Sequence, residues 1–191
     1  MTAGDSPAAR LAGPAGAVFT SSTMLAATLL SPTFSWTESA LSDLGVAADP
    51  LVALLFNGGL VGGAAVGLAY ALALRPHSSP LGVGYALSLL AMALVGVFPA
   101  GTEPHFPAAI AFFLLATATV TFDGWRRRAS PTGRVSLMLA AGHVAGWILW
   151  SYGIRPGDGF ALPELGGVVM FGAWLLVLAP PSQSWWRRDR R

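Results

Sequence analysis

Six long apolar stretches separated by short polar turns leave this chain little choice of fold. They run over about Leu11–Leu30, Leu51–Leu74, Pro80–Ala100, Pro107–Trp125, Val135–Ile154 and Pro163–Ala179. Each has a length with which a helix can cross the roughly 30 Å hydrocarbon core of a bilayer, the last at the lower limit. A peptide group in lipid must be bonded within its own segment, so runs of this length are read as helices. Only 10% of the 191 residues are charged, against about 25% in a soluble domain. The expectation is an all-α polytopic protein, a single six-helix transmembrane domain over 1–191 with polar tails at 1–10 and 182–191.

The turns carry an asymmetry of charge. Arg10, Arg75, Arg126, Arg127, Arg128, Arg134, Arg187, Arg188, Arg190 and Arg191 fall on one side, and Arg155 alone on the other. Glu38, Asp43, Asp49, Glu103, Asp158 and Glu164 join Arg155. The positive-inside rule then puts both termini in the cytoplasm and the chain in the cell membrane as a multi-pass protein. Trp125, Trp185 and Trp186 sit where an inner aromatic belt belongs, and Trp185–Arg191 reads as an anchor to anionic lipid. The first stretch, with Arg10 ahead and Ala26-Ala27 behind, also has some features of a signal peptide. Its length and the lack of a clear cleavage site favour a span.

Composition removes several chemistries. There is no cysteine and no lysine. Disulfides, thiolate metal sites, Schiff bases and catalytic amines are therefore excluded. The basic residues lie where a membrane protein needs them, so a sequence pI near 9.7 does not argue for nucleic acid; membrane lipids are the expected partners. Arginine in place of lysine, with abundant Ala and Gly, has the look of a prokaryotic chain. In the second stretch Gly58-x-x-x-Gly62 and Gly59-x-x-x-Gly63 allow close backbone approach, within the bundle or across a homo-oligomer seam. Gly142 and Gly146 repeat the spacing in the fifth stretch.

Between the first two stretches lies Phe34–Gly45, FSWTESALSDLG. Ser35 and Glu38 have capping-box spacing and Gly45 is a suitable stop. The pattern predicts a short amphipathic helix over Trp36–Leu44 lying in the outer interface. Asp43 would then sit at the unfavourable negative end of that helix, answered by water or by a partner such as Arg155 or His105. Glu164 follows Pro163, where the helix dipole favours a carboxylate.

Ser39, Ser42, Asp43, Glu103, His105, Arg155, Asp158 and Glu164 thus share one surface, each also with a plain structural role available. In an enzyme acting there, Asp43 or Glu164 would be general base, His105 acid and Arg155 an anion clamp. Within the membrane, Asn57 and His143 stand at similar depth and could share a hydrogen bond. His143, Trp147 and Trp150 repeat at i, i+4 and i+7, as packing residues do. His105 and His143 are about half a bilayer apart and no HExxH spacing occurs, which disfavours zinc. No P-loop, dinucleotide fingerprint or nucleophile elbow is present.

SALSDLG (Ser39–Gly45), FNGGL (Phe56–Leu60), GVFPAG (Gly96–Gly101), HFPAA (His105–Ala109) and the acidic start of the last stretch resemble the bacterial and archaeal membrane family of domain of unknown function 998. The likeness covers about Leu11 to Ala179. Its SDLG-then-His layout is also distantly similar to the damage-regulated autophagy modulator and FGF-receptor-activating protein group. The resemblance implies a six-helix bundle and no particular reaction. Three classes of function stay open: a protein binding lipid or a lipid-like ligand in an outer-facing cleft, an intramembrane enzyme acting on lipid headgroups or lipid-linked substrates, and a small-solute or proton-coupled transporter.

Overall fold

The computed structural model describes residues 6–182, and all regular elements among them are helical. They are α1 Pro7–Leu30, a 3₁₀ turn Leu41–Val46, α2 Pro50–Gly67, α3 Tyr70–Leu74, α4 Ser79–Val97, α5 His105–Arg126, α6 Pro131–Ser151, α7 Ala161–Ala173 and a π-helical turn Trp174–Leu178. The anchor expected at Trp185–Arg191 lies outside the described residues.

Local chemistry explains the helix starts. Ser6, Asp49, Ser78 and Ser130 each accept a backbone N–H of the first turn, and proline occupies one of the first two helical positions each time. The fixed φ of proline suits that position, where its missing N–H costs nothing. These caps start α1 and α6 a turn earlier than the apolar runs that predict them.

Among the described residues, four segments are long and apolar enough to cross a membrane: Pro50–Gly67, Ser79–Val97, His105–Arg126 and Ala161–Leu178. At 24 and 21 residues, α1 and α6 have the length but are less apolar than these four. Large apolar side chains cover the outside, with Leu29 77%, Leu54 67% and Leu114 66% exposed. Such a surface suits lipid.

Packing is tight where glycine permits it. Gly59, Gly62 and Gly63 of α2 face α1: a Cβ on Gly59 or Gly63 would collide with the hydroxyl of Thr23 or Thr20. Thr20 Oγ1 also donates to the Gly59 carbonyl at 3.1 Å. Close contact and interhelical hydrogen bonds substitute here for the hydrophobic effect, which is weak between helices in lipid. Gly59 and Gly63 are thus engaged within the chain, whereas Gly58 is exposed.

Two expectations fail. The second apolar stretch is interrupted at Leu68–Ala69, where bonds from Ala71 N to Leu68 O and Leu72 N to Ala69 O tighten the backbone. Nor is there an α-helix over Trp36–Leu44. Ser35 Oγ accepts from Glu38 N–H at 3.3 Å, yet Ser35 N–H goes to Ser39 Oγ at 3.1 Å instead of to Glu38. The Thr37 and Ser39 carbonyls accept from Gly159 N–H and Ala161 N–H at 2.7 and 2.9 Å. Those tertiary bonds take the acceptors a helix would have used. Gly45 also lacks the left-handed conformation expected of a helix stop.

The two ends of the bundle differ. At the arginine end, Arg126 Nη1 donates to His77 O at 3.0 Å, joining the α3–α4 and α5–α6 turns. At the other end, the 33–46 segment is fastened over the helices and against the α6–α7 connection.

Candidate functional site

The fastened segment forms a roof. Its 3₁₀ turn opens with two free backbone N–H groups, and each meets a carboxylate. Asp43 Oδ2 accepts from Ala40 N–H at 2.8 Å, and Glu164 Oε2 accepts from Leu41 N–H at 2.6 Å. Negative charge at such N–H groups is stabilising. Asp43 therefore sits at the favourable start of the turn, not at the unfavourable end of a helix, and it bonds neither Arg155 nor His105. Asn57 Nδ2 donates to the Gly45 carbonyl at 2.8 Å and ties the far end of the roof to α2, while its buried Oδ1 lacks a partner among the described residues. Gly159 allows the α6–α7 connection to approach: a Cβ there would strike the Ser39 backbone.

Beneath the roof lies a cavity of about 80 Å³ surrounded by α1, α2, α4, α5 and α7. A water needs roughly 10–15 Å³ on such a measure, so this is room for a slender chain. Phe56, Leu60, Met92, Phe112, Val168 and Phe171 give it apolar walls. Leu41, Ser42 and Glu164 line its roofed end. Glu164 is half-buried and is the one charged residue of the lining. Tyr85, fully buried, also contributes to the wall, and its hydroxyl donates to Gly67 O at 3.0 Å. Ser21 of α1 lines the cavity and is exposed as well, so the cavity reaches the side of the bundle.

The other expected site residues have partners of their own. Ser39 Oγ is spent on Ser35 N–H. His105 Nδ1 lies 2.8 Å from Phe98 O, the geometry of a donated N–H that closes its own connection. Arg155 bonds Asp158 at 2.7 Å and stacks 4.5 Å over the Trp150 ring. The expected Asn57–His143 bond is not made. His143 instead bridges α5 and α6: Trp147 Nε1 donates to its Nε2 at 2.9 Å, and its Nδ1 is 2.9 Å from Thr117 Oγ1. The Thr117 hydroxyl donates to Phe113 O at 2.7 Å, so it accepts from His143. One neutral tautomer satisfies every bond in that relay.

Among the described residues no three or more His, Asp or Glu gather as metal ligands. The roof thus sets Ser42 and Glu164 at one end of the cavity with Asp43 on the same turn, while His105 and Arg155 bond other partners.

Sequence reasoning passed over a second polar centre. Asp123, 2% exposed, receives Trp174 Nε1 at 2.7 Å and Arg127 Nε at 2.8 Å, with Arg127 Nη2 also on its carboxylate. Arg127 Nη2 donates further to Leu178 O at 2.8 Å. This knot secures the π-helical turn to the arginine end of α5. The i, i+4 spacing of Asp123 and Arg127 was a visible signal; the contact with Trp174, 51 residues away, was not.

No curated protein and no solved structure matches the chain significantly. A family model described as protein of unknown function (DUF998) matches residues 14–180, so the chain belongs to that family.

Proposed function

We propose that this is a six-span protein of the cell membrane, termini cytoplasmic, that binds a lipid-like ligand in the cavity under the 33–46 roof. The carrying observation is the pairing of an apolar cavity with one half-buried carboxylate at its roofed end. A volume near 80 Å³ suits part of a single hydrocarbon chain better than a diacyl lipid. Glu164 would repel a phosphate, so the matching ligand is a single-chain amphiphile whose polar end is a hydroxyl or a cation. Exposed Ser21 supports entry from the side, between α1 and α7. Six crossings are supported by the lengths of α1 and α6, and the orientation by the arginine-rich end.

An enzyme reading would rest on Asp43 and Glu164, but both carboxylates already hold the roof and His105 is engaged with Phe98. Binding is the simpler use of this geometry.

The test is mass spectrometry of amphiphiles retained by the purified full chain, compared with Val168→Trp, which narrows the cavity. The expected result is one single-chain amphiphile per chain, lost in Val168→Trp. Equal retention by both proteins, or none by the wild type, refutes the reading.

A further inference from the structure

A second concavity, an open groove of about 540 Å³, runs between α6 and α7 and shares no lining residue with the central cavity. Its depth comes from missing side chains. A Cβ on Gly142 or Gly146 would meet nothing within 4 Å, and one on Gly166 only His143 Cδ2 at 3.8 Å. Met138, 71% exposed, and Ile154, 67% exposed, mark its length. From Met138 to Trp150 is roughly 18 Å at about 1.5 Å per residue, close to the ~15 Å thickness of one leaflet's hydrocarbon. The groove therefore has the length of one acyl chain.

Its mouth carries a charge pair. Arg155 lines the groove and stacks on Trp150, which lines it too. Among the described residues Arg155 is the one arginine at the acidic end. Its partner Asp158 is 85% exposed, so the pair is weak and open to exchange. A phosphodiester can take the Arg155 guanidinium and leave Asp158 to an ammonium. Glu38, Asp43, Asp49 and Glu103 share this end and disfavour a headgroup of net negative charge. His143 on the floor has both ring nitrogens engaged, which leaves headgroup choice to the mouth.

We infer that the α6–α7 groove docks a zwitterionic phospholipid with a primary ammonium headgroup, one acyl chain along the glycine floor, its phosphate on Arg155 and its ammonium on Asp158. This site is independent of the amphiphile in the central cavity.

The test offers the full chain in detergent an equimolar mixture of phosphatidylethanolamine, phosphatidylcholine and phosphatidylglycerol, and counts retained lipid by native mass spectrometry. Wild type should prefer phosphatidylethanolamine by about tenfold, the value of one charge-assisted contact. Arg155→Gln should lower retention about tenfold, and Asp158→Asn should keep lipid but lose the preference over phosphatidylcholine. Gly142→Leu should displace the chain while leaving the melting temperature unaltered, because its side chain enters open space. Equal retention of the three lipids by wild type overturns the inference, as does retention unaffected by Arg155→Gln or by Gly142→Leu. A dimer that Gly142→Leu converts to a monomer would give the groove to a second copy and likewise overturn it.

Discussion

Glu164→Ala tests the roof at a single hydrogen bond. In the wild type Leu41 N–H donates to the Glu164 carboxylate over 2.6 Å. A bond to a charged acceptor contributes about 1.5–3 kcal/mol net. Glu164 is half-buried, so water replaces part of what the substitution removes, and the lower half of that range, about 1.5–2 kcal/mol, applies. At about 1.4 kcal/mol per factor of ten, the opening equilibrium at Leu41 should rise roughly ten- to thirtyfold. The assay is residue-resolved hydrogen exchange on the full chain in nanodiscs, where local opening is read amide by amide. Ala40 N–H is the internal control, since it keeps its bond to Asp43 at 2.8 Å, and it should change by less than about threefold. An unchanged Leu41 amide would refute the clamp. Equal acceleration of Ala40 and Leu41 would refute its separateness, because the roof would then open as one unit.

Two other outcomes follow from the same geometry. Asp123→Asn removes a buried charge that serves Arg127 and Trp174 together; it should cost about 2–4 kcal/mol of stability, read as a lower denaturant midpoint by tryptophan fluorescence, and an unshifted midpoint would refute the knot. The chain has no cysteine, so single cysteines report sidedness cleanly: Glu103→Cys and Asp158→Cys should label with an impermeant maleimide in intact cells, and Ser130→Cys only after permeabilisation. Labelling of all three in intact cells would refute the orientation.

Much of the helical layout was legible because its causes are local. Ser130-Pro131 and Asp49-Pro50 announce helix starts by their own chemistry, and the glycines of α2 announce close packing. The roof was misread because its backbone acceptors are claimed from afar: Thr37 O and Ser39 O bond residues 159 and 161. The break at Leu68–Ala69 and the π-helical turn at Trp174–Leu178 escaped for a similar reason. The residues around them are aliphatic or aromatic, and no local capping signal marks a change of helical pitch.

The amino-acid sequence by itself determined that this chain forms apolar helices, roughly where most of them begin and end, and which family it belongs to. Those properties depend on runs of neighbouring residues. Only the tertiary structure decided that Glu164 meets Leu41, that His143 meets Thr117 in place of Asn57, and that Arg155 heads a groove apart from Ser42 and Glu164. A helix that is apolar on all sides carries no periodicity to say which face turns inward. Its rotation is settled by shape, by which glycine accepts which neighbour, and partners follow from rotation.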